Sequence, residues 1–88
     1  MRVDSNQKEI VKALRKLGVS ITSLSKVGGG CPDLIAGVAG KNVLLEIKNK
    51  YGFNRLTDQQ KRWHEQWSGQ VAVVTDIDEA IEAIRRAR

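Results

Sequence analysis

The chain of 88 residues carries 15 Lys and Arg against 10 Asp and Glu, a net charge of +5, with 41% apolar residues and one Cys. That length makes one small domain, residues 1–88, because a second core would have too little apolar surface to hold itself together. A lone cysteine excludes an internally disulfide-stapled scaffold and fits a reducing cytoplasm. No apolar run approaches the ~20 residues of a membrane span, and the opening MRVDSNQKEI lacks the apolar stretch of a signal peptide. The basic balance favours a polyanionic partner, nucleic acid first.

The elements follow in order. Asp4 with Gln7 fits a capping box that opens a helix over residues 5–17. Its apolar stripe is Val3, Ile10, Leu14 and Leu17, and Gly18 ends it. Residues 19–25 alternate as a strand, with Val19 and Ile21 on one face. Gly28-Gly29-Gly30 then breaks the pattern. Two short apolar runs, 33–38 and 42–48, are joined by Ala39-Gly40-Lys41 and read as a hairpin. After a polar loop, Thr57 with Gln60 forms a second capping box for a helix reaching Trp67. Residues 70–75 (QVAVVT) are a buried type of strand, and Asp76 with Glu79 starts a last helix with the stripe Ile77, Ala80, Ile81 and Ile84. The order α-β-β-β-α-β-α calls for an α/β fold, a mixed central sheet flanked by helices.

Asp33, Glu46 and Lys48 are charged residues at the edge of, or inside, apolar strands. A hairpin turning symmetrically about Gly40-Lys41 sets Ile35 against Glu46 and Asp33 against Lys48. All three charges then emerge on one face. Two carboxylates suit a hard divalent cation such as Mg2+ or Mn2+, which keeps several waters and takes its remaining ligands from phosphate. The carbonyl of Ile47, between Glu46 and Lys48, is a further ligand. Lys48 suits the charge that builds on phosphate oxygens in a transition state. A cross-strand salt bridge on a solvated sheet face is the other reading of the same residues.

Gly30-Cys31-Pro32-Asp33-Leu34 followed by Leu45-Glu46-Ile47-Lys48 resembles the PD-(D/E)xK nuclease core. Leu56-Thr57-Asp58-Gln59-Gln60 narrows the resemblance to the VRR-NUC branch, with its Gly-x-Pro-Asp and Leu-Thr-x-x-Gln motifs. The motifs cover residues 28–67, and the element order extends the likeness across nearly the whole chain. The resemblance implies that Asp33 and Glu46 hold metal, that Lys48 is the catalytic lysine and that Gln60 has an active-site role. Glu9 stands where the family has an acidic residue supporting the metal. On periodicity alone it faces either the sheet edge or water. Gln60 shares a face with Leu56, Trp63 and Trp67, so active site and capping box compete for one side chain.

Stand-alone members of the family resemble phage and bacterial junction resolvases that act as homodimers. The resemblance therefore implies a metal-dependent DNA endonuclease acting on branched DNA, four-way junctions foremost, in the cytoplasm of a bacterial or phage-infected cell. The alternatives are a restriction- or repair-type endonuclease or an exonuclease on the same core, and an inactive DNA-binding or interaction module. Lys26, Lys50, Arg55, Lys61 and Arg62, with Tyr51 and Phe53 interleaved, suit contact with the phosphate backbone. His64, a lone histidine, reads as a surface residue, and Cys31 has no constellation that makes it a nucleophile. The glycine run lets the backbone bend and approach substrate beside Asp33. Trp63 and Trp67 read as core, with a partner interface as the other use for one of them.

Overall fold

A computed structural model of the chain describes residues 5–50 and 55–87. Its elements are α1 (Ser5–Lys16), β1 (Ser20–Ser23), β2 (Leu34–Val38), β3 (Lys41–Ile47), α2 (Asp58–Gln66), β4 (Val71–Val74) and α3 (Ile77–Ala87), the order expected from sequence. The expected cap Asp4, the apolar Val3 and the aromatic Tyr51 and Phe53 lie outside the described residues.

Helix α1 buries Gln7, Ile10 and Leu14, spaced three and four apart as a single stripe requires. It stops through backbone chemistry. The amide of Val19 donates to the Leu14 carbonyl and that of Gly18 to the Arg15 carbonyl, both at 3.1 Å. This double closure needs a left-handed residue, which Gly18 supplies at φ +85. Val19 packs back into the core beside Leu14, whereas Leu17 is turned out of the stripe and is 62% exposed.

The sheet order is β1-β2-β3-β4, antiparallel throughout except for the parallel β3–β4 pair. Parallel neighbours require a crossover, and α2 provides it. Helices α1 and α3 pack on one face of the sheet over Leu34, Ala36, Val43, Leu45, Ile47 and Val74. Strand β3 is buried continuously from Val43 to Ile47, as a central strand covered on both faces should be. Helix α2 covers the other face thinly: none of its own residues is buried. Trp63 and Trp67 are therefore not core. They stack on each other with ring centroids 4.8 Å apart, and Trp67 is 45% exposed.

The hairpin differs from expectation in one instructive respect. Its loop is two residues, Ala39-Gly40, and Val38 pairs with Lys41. Both loop residues have positive φ, 53 and 76, the signature of a type I′ turn, whose twist matches that of the strands it joins. Leu34 consequently faces Leu45, and Ile35 faces Leu44 rather than Glu46. The register has moved by two residues, so every side chain keeps its face while its partner changes. One step beyond the paired strand, Asp33 opposes Glu46 instead of Lys48.

Candidate metal and catalytic centre

The corrected register makes two carboxylates direct cross-strand neighbours. Glu46 is 1% exposed, and its carboxyl group lies beside that of Asp33. Burial, then the neighbouring Asp33 carboxyl and its charge, push the Glu46 carboxyl up to about 8, against a smaller opposing pull from Lys48. Buried like charges side by side favour one shared proton unless a cation replaces it. Asp33 also curls over the end of β3, where its Oδ2 accepts the amide N–H of Ile47 at 2.7 Å.

The motif Pro-Asp has a second consequence. Extending the register, the ladder position opposite Ile47 is Pro32, which is buried and has no amide N–H. No ladder bond from that position can reach the Ile47 carbonyl. The same two residues that deliver Asp33 therefore leave a backbone oxygen beside it without that partner. Two carboxylates and a carbonyl oxygen are a donor set suited to Mg2+ or Mn2+. Among the described residues no group of three or more His, Cys, Asp and Glu side chains forms a metal-holding cluster, so the fit rests on this oxygen set.

Lys48 and Gln60 complete the centre. Lys48 Nζ donates to Gln60 Oε1 at 2.7 Å. Gln60 Nε2 lies 3.5 Å from Glu46 Oε2, and the same Oε1 accepts the Thr57 amide at 2.9 Å. The Thr57 hydroxyl accepts the Gln60 amide at 3.1 Å, closing the capping box. Cap and active-site roles do not compete, because one carbonyl oxygen has two lone pairs and the amide nitrogen is still free to turn to Glu46.

Two readings from sequence are corrected by this geometry. His64 is not a surface residue: its side chain is 14% exposed, and Nε2 lies 3.4 Å from Glu46 Oε1. Burial, with the Lys48 charge, pushes the imidazole below its ordinary 6.5, so it sits neutral. Helix α2 thus addresses both oxygens of Glu46 from residues four apart. That spacing was the available signal, since a face that turns Gln60 inward turns residue 64 inward as well. The last glycine of the run, Gly30, approaches protein rather than open space for substrate. With φ +87, its missing Cβ would stand 2.6 Å from the Gln59 carbonyl oxygen.

Glu9 is exposed and lines a cleft with Asn6, Asn49, Lys50, Thr75 and Asp76. No described contact joins it to Asp33, Glu46 or Lys48. The Asn6 amide is the α1 group that does reach the strand end, donating to the Lys48 carbonyl at 3.0 Å. Cys31 is a free thiol; burial and the charges of Glu46 and Asp33 push it above its ordinary 9.0, which makes it a poor nucleophile. Of the expected backbone-binding cations, Lys26, Arg55, Lys61 and Arg62 are exposed. Lys50 is paired with Asp76 at 2.7 Å.

A mixed sheet whose central hairpin carries two acids and a lysine on one face, closed by a crossover helix, defines the PD-(D/E)xK class of nuclease cores. A solved structure of a VRR_NUC domain shares this fold with TM-score 0.73 and 25% sequence identity, over 93% of this chain and 92% of its own. No protein-family model matches the chain, and no curated protein matches it. By fold and by motif the chain is similar to a VRR_NUC domain, a nuclease-type core. Among the described residues no helix is long and apolar enough to cross a membrane.

Proposed function

We propose that the chain is a divalent-metal-dependent DNA endonuclease, selective for four-way junctions and active as a homodimer. The observation that carries the chemistry is the pairing of the Asp33 and Glu46 carboxyls beside Lys48. An arrangement that holds two acids against each other in a buried setting is costly for the empty protein and favourable with a cation between them. Asp33, Glu46 and the Ile47 carbonyl would hold Mg2+ or Mn2+. When bound, the ion neutralises phosphate charge and makes a coordinated water more acidic. Lys48 presents its ammonium to the phosphoryl oxygens or orients the attacking water, and Gln60 fixes its direction. Hydrolysis forms a P–O bond from water and breaks the one to the leaving sugar oxygen. The Glu9 position supports metal binding in this reading only if its side chain turns toward the strand end from its present cleft.

The dimer follows from size and substrate: a symmetric pair of sites is the simplest way to cut two strands of a junction. The test is cleavage of labelled four-way junctions, linear duplexes and flaps with Mg2+, Mn2+ or chelator, using Asp33→Ala and Lys48→Ala as controls. Paired symmetric cuts across the junction, absent in both variants and with chelator, support the proposal. Digestion only from ends identifies an exonuclease, and cuts in linear duplex with equal ease a restriction- or repair-type enzyme. Binding without turnover identifies an inactive module. Light scattering at micromolar concentration gives the oligomeric state, and a monomer would sink the paired-site mechanism.

A further inference from the structure

Charge is shared unevenly among the three helices. Helix α1 carries Lys8, Lys12, Arg15 and Lys16 against Glu9 alone, a net +3 within a chain of net +5. In α2 the two cations Lys61 and Arg62 are matched by Asp58 and Glu65. In α3 both Arg85 and Arg86 reach Glu82, at 3.6 and 3.3 Å. Among the three helices the excess therefore resides on α1.

Its geometry is that of one surface. Lys8, Lys12 and Lys16 recur every four residues with Arg15 alongside, so at 3.6 residues per turn all four lie on one exposed flank, opposite buried Ile10 and Leu14. Among the described ion pairs none involves an α1 lysine, and Arg15 gives one N–H to the Ile21 carbonyl at 3.2 Å. Like charges four apart weaken a helix, and Lys12 meets one on either side. In α3, by contrast, each arginine has an acid within one turn. A row of cations relieved by Glu9 alone is favoured by a polyanion.

We propose that this flank of α1 is a second DNA-backbone surface, holding duplex outside the cleavage site without reading its sequence. The proposal rests on the nuclease reading above. From Lys8 to Lys16 the row runs roughly 12 Å at 1.5 Å per residue. That spans about three to four phosphates of a strand rising ~3.4 Å per nucleotide. The row begins two residues beyond Asn6, whose amide bonds the Lys48 carbonyl at the edge of the centre. It lies on a different flank of the helix from Asn6, which suits an arm leaving the site rather than the scissile phosphate.

The test compares the full chain with Lys12→Glu and with the triple variant Lys8→Gln/Lys12→Gln/Lys16→Gln. Equilibrium binding to a labelled junction and a linear duplex is measured in chelator across a salt series. The slope of log affinity against log salt should shrink by about 0.9 for each phosphate that the variant no longer neutralises. KM should rise while kcat at saturating DNA is unchanged. The thermal midpoint of Lys12→Glu should hold or rise, since two repulsions become attractions, which separates loss of a binding surface from loss of fold. An unchanged slope in the triple variant overturns the proposal. Loss of binding to phosphatidylglycerol vesicles with an unchanged DNA slope overturns it in favour of a lipid surface. A shrunken slope in a protein that cuts no DNA supports the surface and sinks the nuclease reading. Efficient cutting with an unchanged slope does the reverse.

Discussion

Lys48 Nζ stands 2.7 Å from Gln60 Oε1, and that oxygen also caps the first turn of α2 through the Thr57 amide. The start of the crossover helix and the aim of the proposed catalytic ammonium are thereby one hydrogen-bonded unit. Two substitutions separate the functions. Thr57→Ala removes the hydroxyl acceptor of the cap and should cost about 1 kcal/mol of stability in denaturant unfolding. It leaves the Lys48–Gln60 bond, so cleavage at saturating metal should change no more than about twofold to threefold. Gln60→Ala should cost a similar stability and lower kcat by roughly 10- to 100-fold. Lys48→Ala should lower it further, by about 100- to 1000-fold, as loss of a group that stabilises transition-state charge does. Equal kcat losses in the Thr57 and Gln60 variants would reduce Gln60 to a cap.

The paired carboxyls give the metal-free protein a pH-dependent stability of defined sign. The folded state holds the Glu46 proton up to about 8, whereas the unfolded chain releases it near the ordinary 4.5. Unfolding between those values releases a proton, so the contribution is complete below 4.5 and is lost as pH rises toward 8. His64 acts in the opposite direction: held below 6.5, it contributes stability above that pH and loses it as pH falls. The window from 6.5 to 8 therefore isolates Glu46. In chelator the thermal midpoint should fall across it, and Glu46→Gln should flatten the fall. Added Mg2+ or Mn2+ should raise the midpoint more at pH 8 than at 6.5, because the ion competes with the proton. A flat profile in chelator would mean that the two carboxyls do not share a proton.

The element order, the single helix stripe ending at Gly18 and the common face of Asp33, Glu46 and Lys48 were legible in the sequence, because each depends on period alone. Period 2 survives a register shift of two, so the right face followed from the wrong turn. The pairing itself was not legible: choosing between a loop of Ala39-Gly40 and one including Lys41 depends on whether an alanine accepts positive φ. His64 escaped for a different reason. Its identity says little, and its position acquires meaning only once α2 is placed over β3. Glu9 shows the limit of motif transfer, since a residue at the family's position still has to be turned by its own helix. Trp63 and Trp67 follow a core-like spacing on a helix that has no core beneath it, and no local pattern records that.

Glycines in one run are expected to differ sharply. Gly29 and Gly30 have φ of +67 and +87, but a Cβ at Gly29 meets nothing within 4 Å, while at Gly30 it meets the Gln59 backbone at 2.6 Å. Gly29→Ala should cost about 1 kcal/mol, the left-handed penalty alone. Gly30→Ala adds displacement of the first turn of α2 and should cost about 2–3 kcal/mol. Because Gln60 follows Gln59, the Gly30 variant should also cut more slowly at a temperature where it remains folded, and the Gly29 variant should not. Denaturant unfolding with cleavage on the same samples measures both. Matching losses in the two variants would refute a specific role for the Gly30 contact.

The hairpin turn offers a gain rather than a loss. Ala39 takes φ 53 without the side-chain chemistry that makes such a conformation comfortable, and Gly40 follows at 76. Asn-Gly is the preferred pair for this turn, since asparagine tolerates the left-handed region through local hydrogen bonding. Ala39→Asn should therefore stabilise by about 0.5–1 kcal/mol, relieving part of the ~1–2 kcal/mol cost of a left-handed alanine. Ala39→Val, whose branched Cβ makes positive φ worse, should destabilise by a similar or larger amount. Both leave Val38 opposite Lys41 and Asp33 opposite Glu46, so cleavage by each folded variant should match the parent. If Ala39→Asn failed to stabilise, the two-residue turn would be wrong, and the carboxylate pairing derived from it would fall as well.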